Sequence, residues 1–213
     1  MVVHIFYYSN KHFFSVTDCC DNQMIIIMSS YVSTQSAEKL LQDMMREYCR
    51  QCVYPDMKKL REVLTLLSDQ QKLHILQQEY PGWKPLYNAA YRDDTEIIST
   101  LLTSLQSSAD RLKLLMVDEC TPLYEAAGRG HTDSVKMILD CLTADQQIQI
   151  MSVQNRCDTT AIQMAEHEGK TDTARVLTEY QQRALIEYQQ RAERLQKQQE
   201  QSRLQKSVSG RLS

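Results

Sequence analysis

Residues 121–142 read TPLYEAAGRGHTDSVKMILDCL, and this stretch decides the fold. It parses as two short helices joined by a sharp corner. Thr121 offers a capping hydroxyl, and Pro122 suits the first helical position, where a missing N–H costs nothing. Leu123, Ala126 and Ala127 then share one helical face, with alanines small enough to admit a second helix at close range. Gly128 and Gly130 end the helix, since glycine adopts the left-handed backbone that a tight corner requires. Thr132 or Asp133 is expected to cap the next helix. Its Val135, Ile138, Leu139 and Leu142 form an apolar stripe at helical spacing. One such pair cannot bury its own apolar surface, so it predicts copies on either side.

The copies are present. Residues 84–105 read KPLYNAAYRDDTEIISTLLTSL, with Pro85, Leu86, Ala89 and Ala90 in the places of Pro122, Leu123, Ala126 and Ala127. Residues 160–177 read TAIQMAEHEGKTDTARVL, with Ile162, Ala165, Gly169 and Val176 as equivalents. Pro122 follows Pro85 by 37 residues and Ala161 follows Pro122 by 39, a fixed spacing that marks a stacked repeat protein. The stretch TPLYEAAGRGH resembles the core of the ankyrin repeat family, which carries threonine-proline-leucine-histidine and later glycine-histidine. Here Tyr124 stands where that histidine usually sits, and Gly130-His131 is kept. The resemblance covers 121–142 most fully and 84–105 well. It is thinner at 160–177, where Ala161 replaces the proline and Glu166 the second alanine.

These repeats are longer than the family's usual ~33 residues. After each outer helix come an acidic residue and an apolar run: Ser68-Asp69-QQKLHIL, Ala109-Asp110-RLKLLMV and Ala144-Asp145-QQIQIMSV. The aspartate is expected to cap an extra helical turn whose leucines and isoleucines face inward. Asp69 precedes Pro85 by 16 residues and Asp145 precedes Ala161 by 16, but Asp110 precedes Pro122 by 12, which predicts a connection shortened by four. Upstream, Met57-KKLREVLTLL fills an outer-helix slot and Ser36-AEKLLQDMMREYCRQC an inner one. The expected organisation is therefore a leader over 1–35 and a repeat domain over 36–180. The latter divides into a divergent leading unit at 36–83 and repeats at 84–120, 121–159 and 160–180.

Residues 1–31 hold all three phenylalanines, Phe6, Phe13 and Phe14, beside Tyr7, Tyr8 and Tyr31. MVVHIFYY lacks the basic start and prompt cleavage site of a signal peptide. A poorly ordered leader, a strand-like or extended arm on the first helices, and a start-site artefact upstream of Met24 or Met28 are the three readings. The longest apolar run of this N-terminal part, Met24 to Met28, is far too short to span a bilayer. Seven cysteines at irregular spacing, without a secretory signal, point to reduced thiols and a cytoplasmic chain, with the nucleus as the other compartment. Cys49 and Cys52 share a helical face, and packing is expected there rather than metal binding.

A net charge of −3 is not that of a dedicated nucleic-acid binder. No serine, cysteine or aspartate stands with a histidine in a nucleophile arrangement, and five glycines spread over the chain make no phosphate loop. The expectations are no catalysis, no cofactor, no metal and no membrane partner. The resemblance implies instead a protein partner held on a concave side lined by inner helices and turns. Its position-by-position transfer gives Asn88, Tyr91 and Arg92, then Glu125 and Arg129, then Met164, His167 and Glu168. Trp83 and Tyr87 join Tyr91 in an aromatic neighbourhood of the kind that dominates binding hot spots. Trp83 is equally placed to seal the stack against the leading helices.

From Thr171 onward the last outer helix runs on with no glycine or proline before Gly210. EYQQRA occurs at 179–184 and again at 187–192, and Glu187 with Arg191 and Glu193 with Lys197 have helix-supporting spacing. Leu177, Tyr180, Ala184, Tyr188, Ala192 and Leu195 mark a narrow seam. Residues 181–213 are read as a polar extension with a disordered tail. A solvated helix and a coiled coil giving weak self-association through 174–206 are the two readings. The fold class is thus an all-α, ankyrin-like helical-repeat solenoid with a long C-terminal helix.

Overall fold

A computed structural model of the chain describes residues 22–51, 53–80, 83–117 and 120–209, with side chains over 33–50, 53–80, 83–117 and 120–203. The expectations placed on residues 1–21, on Cys52 and on 210–213 lie outside the described residues. Eleven helices are described: α1 (Asn22–Gln51), α2 (Met57–Thr65), α3 (Asp69–Leu76), α4 (Pro85–Arg92), α5 (Thr95–Thr103), α6 (Ser108–Leu115), α7 (Pro122–Arg129), α8 (Thr132–Asp140), α9 (Ala144–Met151), α10 (Ala161–His167) and α11 (Thr171–Ser209). The all-α solenoid read from the sequence is the fold. α1 runs straight through residue 35, so the expected end of the leader does not coincide with the end of an element.

The helices stack in three rows. The inner row runs α1, α4, α7, α10, the outer row continues α5, α8, α11, and a third row runs α3, α6, α9. Arg61 of α2 reaches Glu96 of α5 at 2.8 Å, tying the leading unit to the outer row. Where the sequence suggested an extra turn, the leading unit and the first two repeats each hold a full third helix of eight residues. The caps are Ser68, Ser107 and Thr143, not the aspartates. An extended serine or threonine turns its oxygen onto the free N–H groups, while Asp69, Asp110 and Asp145 sit inside the first turn and complement its dipole. Since these aspartates occupy different positions in their helices, their spacing overstated the shortening. The connector before α7 spans 116–121, against 77–84 before α4 and 152–160 before α10.

The corners follow the expected chemistry in two repeats and depart from it in one. Gly130 and Gly169 take positive φ of 81° and 68°, while Gly128, expected to help end α7, lies within that helix. The equivalent corner after α4 is closed by Asp93 at φ 59°, a residue whose short polar side chain tolerates that region. Its carboxylate accepts a 2.6 Å hydrogen bond from Ser134 Oγ in the next repeat, which accounts for aspartate there. Neither Thr132 nor Asp133 caps α8. His131 holds that position without a side-chain cap, because its Nε2 lies 3.1 Å from the Tyr91 carbonyl oxygen of the preceding repeat.

One continuous core joins the rows, from Leu41, Met45 and Tyr48 through Ile98, Leu101 and Leu102 to Ile138, Leu139 and Leu177. Cys49 is part of it, a buried thiol as the packing reading expected. Polar side chains stitch the third row at matching positions. Lys72 Nζ donates to the Ser104 carbonyl at 2.7 Å, Arg111 Nη1 to the Cys141 carbonyl at 3.2 Å, and Gln147 Nε2 to the Leu139 carbonyl at 2.8 Å. Each thereby satisfies a carbonyl near the C-terminus of an outer helix.

Candidate functional site

Trp83, Tyr87 and Tyr91 come together on the inner row. The indole lies 5.5 Å from the Tyr87 ring and 5.2 Å from the Tyr91 ring, tilted on the first and edge-on to the second. They meet because residues four apart on α4 share a face, while the Tyr80–Trp83 bridge fixes the turn that carries the indole. Trp83 remains 37% exposed, so part of its ring is open to another molecule.

The cluster continues into the next repeat. Arg129 places its guanidinium Cζ 3.4 Å from the centroid of the Tyr91 ring, a cation–π stack. Its Nε donates to Glu125 Oε1 at 2.6 Å, and the Tyr87 hydroxyl donates to Glu125 Oε2 at 2.6 Å. Burial, and then the Glu125 carboxylate, push the Tyr87 hydroxyl well above the ordinary phenol range. Trp83, Tyr87, Tyr91, Glu125 and Arg129 are therefore one connected unit across two repeats.

Two residues assigned to this face do other work. Asn88 is buried, with its Nδ2 facing the Tyr48 carbonyl at 3.5 Å, because it lies toward α1 rather than toward the groove. Arg92 is half-buried over the rings of Tyr48 and Tyr54, at 5.3 and 5.1 Å, with its Nε 3.6 Å from Asp94 Oδ2. Both tyrosine hydroxyls donate to the Asp94 carboxylate. Asn88 and Arg92 thus fasten α1 to α4 and are corrected from partner contacts to internal ones.

The third repeat supplies the rest of the concave wall. A groove of about 460 Å³ is lined by Tyr124, Glu125, Gly128, Arg129, His131, Met164, Glu168 and Lys170. Met164 forms its floor against Gly128, where a Cβ would come within 3.1 Å of Met164 Cγ. Glu168 lines the groove, while His167 is exposed beside it, its Nδ1 3.3 Å from Glu168 Oε1.

Sequence reasoning missed Tyr124, His131 and Lys170 as wall residues. Tyr124 carried a signal, being the large side chain in the motif's histidine place. Its hydroxyl accepts from Asn155 Nδ2 at 2.7 Å, and burial raises its pKa. Lys170 gave none, since its stem reaches the groove only because Gly130 leaves room: a Cβ there would lie 2.9 Å from Lys170 Cδ.

A family model described as ankyrin repeats, three copies, matches residues 51–151. These residues are ankyrin repeats. No curated protein matches the chain. Ankyrin repeats are in general protein–protein interaction modules. The ankyrin match begins at the end of α1 and ends with α9, so it takes in the third row as well as the other two. Among the described residues no group of three or more His, Cys, Asp and Glu side chains is placed to hold a metal ion. No described helix is long and apolar enough to cross a membrane.

Proposed function

We propose that the chain is a non-catalytic scaffold or adaptor that binds a protein partner along the inner-row face, from Trp83 to Lys170. The observation that carries this reading is the Trp83–Tyr87–Tyr91–Arg129 unit. Its rings are already stacked, and Glu125 already holds Arg129, so a partner meets large side chains that lose little freedom on binding. Rigid aromatic and arginine side chains supply most of the energy at protein interfaces. The groove at Tyr124, Met164 and Lys170 extends this face toward the third repeat.

The test is affinity capture with the full chain against a Trp83→Ala, Arg129→Ala double variant of unchanged circular dichroism. Loss of the captured proteins is expected. Capture of the same set by both forms would remove this face from consideration. Arg92→Ala is unsuited to the comparison, because it disturbs the fastening of α1 rather than the face.

A second reading, self-assembly through residues 174–206, is supported by a separate observation. Leu185, Ile186, Tyr188 and Leu195 are all exposed on α11. A cytoplasmic setting is proposed from seven cysteines at irregular spacing, of which Cys141 and Cys157 are free thiols.

A further inference from the structure

α11 contains 39 residues, but the array covers only its first half. Leu177 and Ala184 are buried, the Tyr180 hydroxyl donates to Asp140 at 2.7 Å, and Arg191 donates to Asp145 at 2.7 Å. Beside this covered strip runs Leu185, Tyr188, Ala192 and Leu195, spaced three, four and three apart as in a helix–helix seam. Leu185, Tyr188 and Leu195 are 42%, 52% and 50% exposed. Ile186 falls outside the seam.

We propose that this seam is covered by the α11 helix of a second copy, running antiparallel and centred on Gln190. The inference rests on the self-assembly reading and adds its orientation and register. Two observations support them. In an antiparallel pair whose facing residue numbers sum to 380, Leu185 meets the partner copy's Leu195, and Tyr188 meets the partner copy's Ala192. Large therefore faces small, and leucine faces leucine. The flanking positions 182, 189, 196 and 198 are all glutamine, and 184 is alanine, which leaves no charge there to repel a second copy. Arg191, the one charged flank, comes near the axis with its charge already offset by Asp145.

A parallel pair keeps leucine against leucine and the same flanks but loses the large-to-small match, since it sets Tyr188 against Tyr188 and Ala192 against Ala192. The antiparallel arrangement also lays the array-bound half of each helix beside the projecting half of the other, so the two solenoids lie at opposite ends of the seam. Four apolar positions per helix make a modest interface, so association depends on concentration.

Sedimentation equilibrium of the full chain and three variants tests this. The unaltered chain is expected to approach twice its chain mass as concentration rises. Leu185→Glu with Leu195→Glu is expected to weaken association by at least about tenfold, by setting carboxylates against each other. Leu185→Glu with Leu195→Lys is expected to restore it, because each glutamate then faces a lysine only in an antiparallel pair. Ile186→Glu, outside the seam, should change nothing, and circular dichroism on all forms checks that the array is intact.

A chain that stays monomeric at high concentration overturns self-assembly altogether. A dimer unaffected by the double glutamate overturns the seam. A dimer that is lost in the double glutamate and not regained in the glutamate–lysine form overturns the antiparallel register while leaving self-assembly standing.

Discussion

Tyr48 shows what a single side chain does in this fold. Its ring is fully buried in the leading unit and its hydroxyl donates to Asp94, the residue that opens α5. Burial first, and the carboxylate next, raise the pKa of that hydroxyl far above its ordinary value. The folded chain therefore holds the phenol proton more firmly than the unfolded chain does. That contribution is complete below the unfolded value of about 10 and is lost as pH rises through the folded one. Tyr80, pushed up to about 12 by burial, acts in the same direction. Tyr48→Phe is expected to cost about 1–3 kcal/mol at neutral pH, since Asp94 loses a buried donor. Its stability should also fall less steeply above pH ~10 than that of the unaltered chain. Urea titrations at neutral pH and between pH ~9 and ~11 measure both effects. Equal slopes on the alkaline side would remove Tyr48 as their source.

At the scale of elements, the third row distinguishes this stack from a two-helix repeat. Its helices are short and would not persist alone, so they depend on what they are bonded to. Lys72 is nearly buried, with Nζ between the Ser104 carbonyl at 2.7 Å and Asp69 Oδ1 at 3.1 Å. Burial would raise the Asp69 carboxyl, but the Gln106 amide, 2.8 Å from Oδ2, and the Lys72 ammonium outweigh it and hold the pKa below the usual value. Lys72→Met should lower stability by about 1–3 kcal/mol, because it strips the half-buried Ser104 carbonyl of its donor and leaves Asp69 without its ammonium partner. Lys113→Met one repeat on breaks an ion pair whose lysine is mostly exposed, and should change stability by no more than ~0.5 kcal/mol. Urea denaturation of the two variants decides between them, and equal losses would show that the third row is not held by this bond.

Across the whole molecule, a solenoid is stable through contacts between neighbours, so damage at one end stays near that end. A boundary at residue 180, as the sequence suggested, cuts away Ala184, which is buried against the array, and the exposed Arg191–Asp145 ion pair. A chain ending after Tyr180 should lose hydrogen-exchange protection in α8–α10 and keep it in α1–α4. A chain ending after Lys197 should match the full chain in both regions. Unchanged protection after the shorter truncation would mean that the second half of α11 contributes nothing to the array.

The amino-acid sequence determined the repeating part of this protein. Pro85, Pro122 and Ala161 begin adjacent inner helices, Val135, Ile138 and Leu139 point inward, and the glycines at 130 and 169 turn the chain, because these choices are local and recur at nearly the same spacing. The aromatic unit at Trp83, Tyr87 and Tyr91 was legible for the same reason, being built on one turn and one helix face. Only the tertiary structure decided that Asn88 and Arg92 face inward, that Lys170 reaches the groove across Gly130, and that Arg191 of α11 reaches Asp145. Each of those outcomes depends on a neighbour some 40 or more residues away in the chain, at Tyr48, Gly130 or Asp145. Periodicity gives the face on which a side chain lies, but not what the next layer has placed opposite it.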